Sequence, residues 1–278
     1  MTRIALCYFG ISRSLSFTIG SIRNNVIGPA QAAGESKSYA HLYRQDKVVN
    51  PRTGEDHAMD PDEYRLLAAD EVLLERPDAC LQSRGFDDFK RFGDPWKDKF
   101  NSMRNLIHQL HSLDQVGRAA LRDGADVAIF CRPDLQYHDS LAKPLASALA
   151  AARPSVLLPF WQPHGGHNDR FAICVGRQAI ETYSQRISQA AAYCETLGRP
   201  LHSERLLAYS LQRAGVRVRT IGQTASRVRA GGTLATVCFR HPVLRDIANS
   251  VRPAVRLGRQ MLPHLQRKPK PAHLERAD

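Results

Sequence analysis

The apolar run Val127 to Cys131 stops abruptly at Arg132, Pro133 and Asp134. Such a run reads as a buried strand that carries a guanidinium and a carboxylate to its exit. In open α/β sheets, ligands bind outside the carboxyl ends of the strands. Asp134 could ligate a divalent cation there, Mn²⁺ or Mg²⁺, and the cation could hold a phosphate. A lone carboxylate at a strand exit also serves as a cap or an ion-pair partner. Pro133 stiffens the exit and fixes where Asp134 points. Asp139 could be a second ligand or the N-cap of the next helix. Tyr137 is a candidate substrate contact.

Two further loops carry reactive residue types. Gly10-Ile-Ser12-Arg13-Ser14 combines an open backbone, hydroxyls and a guanidinium, which suits a phosphate. It is also an ordinary strand-to-helix turn. It lacks both the GxGxxG dinucleotide pattern and the GxxxxGK[ST] loop, which argues against an NAD enzyme and a P-loop kinase. His164-Gly-Gly-His167-Asn168-Asp169-Arg170 is the densest polar cluster. Two histidines and an Asp could hold zinc, although Gly-Gly suits a tight turn better than a ligand frame. Asp169 is a candidate general base or sugar-binding carboxylate. His167, Asn168 and Arg170 are candidate substrate contacts, and Asn168 and Asp169 could equally satisfy their own loop. Glu204 falls in the first turn of a helix, which the helix dipole favours in any case. It is a second catalytic candidate by proximity. Arg227 and Arg229 form a basic turn that could neutralise a diphosphate or simply face solvent.

Strands are expected over residues 3–8, 39–43, 126–131, 155–161, 171–175 and 216–219. Helices are expected near 21–25 with Pro29 closing the region, then over 61–74, 103–121, 141–152, 178–195 and 203–213. Met103, Leu106, Ile107, Leu110 and Leu113 repeat at helical spacing. Gly124 suits the C-cap of that helix. Residues 46–60 read as a loop and 86–95 as irregular. Strands interleaved with helices indicate an α/β fold. If the strands are neighbours, the three loops at 10–14, 132–139 and 163–170 converge on one cleft.

The 278 residues suffice for one large domain, expected over 1–250, with a basic, partly disordered tail over 251–278. The net charge is +12, and nine Lys/Arg against three Asp/Glu place half of it in residues 240–278. A tail of this kind can touch anionic lipid or nucleic acid, or contact nothing. No apolar run approaches the ~20 residues of a membrane span, and the start reads as a first strand rather than a signal peptide. The six cysteines are scattered, without a CxxC pair, and read as buried free thiols of a reducing cytoplasm.

In order, the opening strand with Gly10 and Ser12-Arg13-Ser14, Arg132-Pro-Asp134-Leu-x-Tyr137, Asn168-Asp169-Arg170-Phe-Ala-Ile173 and Ser203-Glu204-x-Leu206-Leu207 resemble bacterial GT-A-like glycosyltransferases found with surface-polysaccharide genes. The resemblance covers residues 1–232. It implies a single Rossmann-like domain, with a mostly parallel central sheet flanked by helices, acting on a nucleotide sugar and a glycan or lipid-linked acceptor. Gly10, Ser12, Arg13, Arg132 and Arg229 would hold the nucleotide phosphates. Asp134 would stand alone where that family carries DxD, and Asp169 or Glu204 would be the base. A cytoplasmic location follows, peripheral at the inner membrane face through the tail, with no specific nucleic acid. The other readings are a non-enzymatic basic protein binding nucleic acid or an anionic membrane, a degenerate transferase that binds without turnover, and a methyltransferase.

Overall fold

In the first strand, β1 (Arg3–Gly10), Ile4, Leu6 and Tyr8 face one apolar cluster and Ala5, Cys7 and Phe9 another. A strand buried on both faces belongs in the middle of a sheet with helices on either side. The computed structural model, which describes residues 2–50, 54–151, 153–237 and 239, has that architecture.

After β1 come α1 (Leu15–Ile22), α2 (Gly28–Ala33), β2 (Glu35–Tyr43), β3 (Lys47–Asn50), β4 (Glu55–Ala58), β5 (Glu71–Glu75) and α3 (Phe86–Phe89). The long α4 (Asn101–Arg122) leads into β6 (Val127–Cys131), β7 (Leu135–Tyr137), α5 (Ala142–Leu149), β8 (Ser155–Pro159) and β9 (Ala172–Val175). The series closes with α6 (Arg177–Ser184), α7 (Ala190–Leu197), α8 (Ser203–Arg213), β10 (Arg217–Ile221) and β11 (Ala225–Arg227). Seven strands form one sheet in the order β10-β8-β9-β6-β1-β2-β5. All neighbours are parallel except β9, which runs antiparallel to both β6 and β8. The expected α/β class with a mostly parallel sheet is therefore present.

Leu15, Ile22, Leu141 and Leu145 of α1, α5 and the residue before α5 cover one face. Leu113, Val116, Ile180, Leu207 and Leu211 of α4, α6 and α8 cover the other. Burying each of these side chains contributes about 1.5–3 kcal/mol. Five cysteines, Cys7, Cys80, Cys131, Cys174 and Cys194, are buried free thiols. The expected tail over 251–278 lies outside the described residues.

Several local expectations are corrected. Residues 61–74 form a 3-10 turn, Glu63–Leu67, followed by the edge strand β5. The carboxylate of Asp70 accepts the Ser38 amide at 2.7 Å, which stops the helix and lays the next residues along β2. Within 46–60, β3 and β4 pair as an antiparallel hairpin. Pro29 opens α2 rather than ending a helix, as its missing N–H allows. The single helix expected over 178–195 is interrupted at Gln185.

Candidate functional site

The exits of the parallel strands β1, β2 and β6 lie at one edge of the sheet. The antiparallel β9 brings the loop before it to the same edge. The loops at 10–14, 132–134 and 164–170 therefore do converge, on a cleft of about 600 Å³. Gly10, Arg13, Arg132, Asp169, Arg170, Glu204, Arg227 and Arg229 line it. Along α4, Ser102, Asn105 and Gln109 also face it, at the 3–4 spacing of one helical face. Gly10 has φ +107° and open space where a Cβ would sit, so the backbone meets the cleft directly. Its amide donates to Ser112 Oγ at 2.8 Å, and Ser112 donates in turn to the His41 carbonyl at 2.6 Å, fixing both strand exits against α4.

One half of the cleft is cationic. Asp134 is 1% exposed and is wrapped in guanidinium groups. Arg132 Nε donates to its Oδ1 at 2.9 Å, while Arg132 Nη2 and Arg13 Nη2 donate to Oδ2 at 2.9 and 2.8 Å. Arg227 Nε lies 3.6 Å from Oδ2. Burial alone would raise the Asp134 pKa, but Arg132, Arg13 and Arg227 together hold it far below the carboxylate range. A carboxylate offers about four lone-pair directions. Both directions of Oδ2 and one of Oδ1 already accept, and Arg227 adds its charge beside Oδ2. These surroundings do not suit the metal expected at Asp134: a divalent ion would have to displace guanidinium groups and then sit among them. Glu55 of β4, also buried, accepts from Arg13 Nη1 at 3.3 Å and Arg229 Nη1 at 3.0 Å.

Two guanidinium groups in this half donate no hydrogen bond among the described residues. One is that of Arg227, whose Nε is buried. Arg132's charge, followed by burial, pushes the Arg227 pKa down to about 9. Arg170 likewise has a buried Nη1 without a partner, and its guanidinium lies 5.1 Å above the Trp161 ring. Burial lowers its pKa.

The other half carries two carboxylates. Asp169 Oδ2 accepts from Gln109 Nε2 at 2.7 Å and from Ser203 Oγ, and it lies 3.8 Å from Arg186 Nη2. Burial works against its ionisation, but Arg186, Arg170 and the Ser203 hydroxyl outweigh it and lower its pKa. Glu204 has the opposite fate. Burial first and the Asp169 charge second push it up to about 7. Its Oε2 lies 3.3 Å from His202 Nδ1. Gln109 joins the two halves, because its Oε1 accepts from Arg132 Nη1 at 2.8 Å.

The remaining expected residues serve the frame. Tyr137 is buried, and its hydroxyl accepts the Arg132 amide at 3.2 Å. Asn168 donates to the Trp161 carbonyl and accepts the Arg170 amide at 3.0 Å, pinning its own loop. His167 donates its amide to the Glu204 carbonyl at 3.0 Å, and burial lowers its ring pKa. Ser12 is buried behind Arg13 and turns the chain into α1 through its carbonyl. None of these four, expected as substrate contacts or, for Ser12, as a phosphate contact, lines the cleft. Asp139 accepts from Thr224 instead of a metal or a helix start. Gln109, His202 and Glu55 were not legible as site residues. For Gln109 the signal was a polar position on the inward side of an otherwise apolar helix.

Among the described residues, His41, Glu75 and His111 form a group whose potential ligand atoms lie within 4.8 Å of one another. His111 Nδ1 accepts from Arg84 Nε at 2.9 Å. A guanidinium only donates, so the His111 proton sits on Nε2 and is given to Glu75 Oε2 at 3.0 Å. That tautomer opposes a metal at Nε2. The zinc set considered at His164, His167 and Asp169 does not assemble among the described residues.

No protein-family model matches the chain, and no curated protein matches it. Among solved structures, the fold is similar to the apo form of mouse xyloside xylosyltransferase 1, at 8% identity and a TM-score of 0.43, over 80% of this chain and 85% of that one. At that distance the chemistry rests on the residues of the cleft.

Proposed function

We propose that this protein is a glycosyltransferase that moves a sugar from a nucleotide sugar to a hydroxyl of a glycan or lipid-linked acceptor. One observation carries the reading. One cleft holds guanidinium groups that donate no hydrogen bond among the described residues, beside a carboxylate, Glu204, whose pKa is raised to about 7. Glycosyl transfer needs both: positive charge where a diphosphate departs, and a base where a hydroxyl attacks.

The acceptor oxygen bonds to the anomeric carbon. The bond from that carbon to the phosphate oxygen breaks, and the nucleoside diphosphate leaves with the electron pair. Glu204 takes the acceptor proton. Asp169 is the weaker candidate for this role, because its pKa is lowered and its Oδ2 already accepts from Gln109 and Ser203. Its part is to orient Gln109 and neutralise Arg186. Arg227 and Arg170 receive the developing phosphate charge, with Arg132, Arg13 and Arg229 behind them. Asp134, engaged by Arg132 and Arg13, does not suit Mn²⁺ or Mg²⁺.

The alternative of a basic protein that binds through its tail rests on residues outside those described, as do membrane contact and a place at the inner membrane face. No helix among the described residues is long and apolar enough to cross a membrane.

The test is a thermal-shift panel of UDP, GDP, CDP, ADP and their common sugars, followed by donor turnover for whichever binds. A ligand at a hundredfold excess over its dissociation constant adds about 2.7 kcal/mol to apparent stability. A shift with one nucleotide, and turnover lost in Glu204→Gln, is expected. No shift with any nucleotide would overturn the reading.

A further inference from the structure

We infer that Arg170 and Arg227 form a diphosphate site that works without a metal ion, and that Asp134 is a positioning residue for it. The inference rests on the transferase reading only for the name of the ligand. The site itself follows from which charges are matched and which are not.

Six arginines line the cleft: Arg13, Arg104, Arg132, Arg170, Arg227 and Arg229. Asp78 occupies Arg104. Asp134 occupies Arg13 and Arg132, and Glu55 occupies Arg13 and Arg229. Asp169 is taken up by Arg186, Gln109 and Ser203. Arg170 and Arg227 remain without a hydrogen-bond acceptor among the described residues. They repel each other and are both repelled by Arg132. Recessed like charges without acceptors are costly to keep. A doubly or triply charged diphosphate would satisfy them, and planar guanidinium groups suit its oxygens.

Both cations stand on rigid supports. Arg227 ends β11, which pairs with β7 so that Arg227 lies opposite Leu135, and the next amide, of Val228, donates to the Asp134 carbonyl at 2.9 Å. Arg170 is held by its amide bond to Asn168 and by the Trp161 ring beneath its guanidinium. Asp134 lies behind this pair. It fixes Arg132 and Arg13 and leaves Arg227 at the edge of its reach, 3.6 Å away. In this arrangement Asp134 organises cations around the anion, where a metal ligand would instead recruit one.

The test uses the full chain and inorganic pyrophosphate, titrated calorimetrically in EDTA and again with Mn²⁺ or Mg²⁺. Binding in EDTA, with a dissociation constant that metal changes less than threefold, is expected. Arg170→Gln and Arg227→Gln should each weaken it at least tenfold while the melting temperature changes little, because each guanidinium is held among like charges and donates no hydrogen bond among the described residues. A merely structural arginine would instead lower the melting temperature. Asp134→Asn should weaken binding by the same factor in EDTA as with metal. Three results would overturn the inference: binding that requires metal, a Asp134→Asn defect confined to the metal-containing titration, or unchanged affinity in both arginine variants. Absence of binding under all conditions would overturn it as well. Metal-free pyrophosphate binding without turnover of any nucleotide sugar would keep the site and remove the transferase reading instead.

Discussion

Glu204 Oε2 lies 3.3 Å from His202 Nδ1, and both groups are shifted toward their neutral forms. Burial, with Arg205 second, lowers the His202 pKa to about 4, while burial and Asp169 raise that of Glu204 to about 7. His202 Nδ1 is buried without a hydrogen-bond partner among the described residues. A proton on Glu204 can point at it, whereas an ionised Glu204 sets lone pair against lone pair.

The first prediction is a rate that rises with pH through about 7, because the base must be ionised to act. Glu204→Gln should lower the rate by about 10²- to 10⁴-fold and remove that inflection. Stability should run the other way. A carboxyl whose pKa is raised on folding stabilises the protein below its ordinary value near 4.5 and loses that contribution as pH rises through about 7. Glu204→Gln should therefore melt higher than the parent at pH 8, by about 1–3 kcal/mol, with the two converging at pH 4. Equal melting at pH 8 would show that Glu204 is not strained.

Asp169 answers to a different measurement. Arg186 is fully buried, and Asp169 is the carboxylate at its side. Asp169→Ala leaves that charge uncompensated and should cost about 3–5 kcal/mol. The Asp169 pKa is lowered, so its contribution is present above the ordinary Asp value and fades as pH falls below it. Urea melts of parent and Asp169→Ala should thus differ most near pH 7 and draw together toward pH 2. Asp169→Asn keeps a side-chain oxygen for Ser203, and its folded fraction should retain most of its turnover. Complete loss in the folded fraction would return the role of base to Asp169.

The legible parts of this chain were those set by local pattern. The apolar run 127–131, the 3–4 repeat of α4 and the start of α8 are written in consecutive residues, and the structure has them. Residues 61–74 misled because Leu, Ala and Glu favour helix, whereas Ser38, some thirty residues earlier, captures Asp70 and draws 71–75 to the sheet edge. The site failed in the same way. The strand exit places Asp134 correctly, but its partners Arg13 and Arg227 lie 121 and 93 positions away, so its ion pairs could not be read from the strand exit. Glu204 sits where a helix dipole would put any acid. Only its burial beside Asp169, invisible in sequence, separates it from an ordinary first-turn residue.

The loop that delivers Asp169 and Arg170 is fastened at Gly166. A Cβ at this position would collide with the Glu204 carbonyl and the Arg205 amide, both backbone atoms that cannot swing aside. Gly166→Ala should push the loop off α8, break the His167 amide bond to Glu204 and cost about 2–4 kcal/mol. Because the same carbonyl belongs to Glu204, the rate inflection near pH 7 should also shift. A substitution that lowers the melting temperature but leaves that inflection in place would mean that loop and base are independent.

The His41, Glu75 and His111 group gives the last prediction. Arg84 Nε fixes the His111 proton on Nε2, and Arg84 Nη2 also pairs with the fully buried Asp114 at 2.6 Å. Asp114 keeps a second partner, Arg118 Nε at 2.9 Å, when Arg84 is replaced. Arg84→Met should therefore fold, at reduced stability. In it His111 Nδ1 is free to carry the proton, so Nε2 can join Glu75 and His41 around a zinc ion. The parent should bind zinc at this group at least tenfold more weakly than Arg84→Met, measured by competition with a chromophoric chelator, and His41→Ala should abolish the gain. Tight zinc binding by the parent, lost in His111→Ala, would show that the Arg84 bond does not control the tautomer.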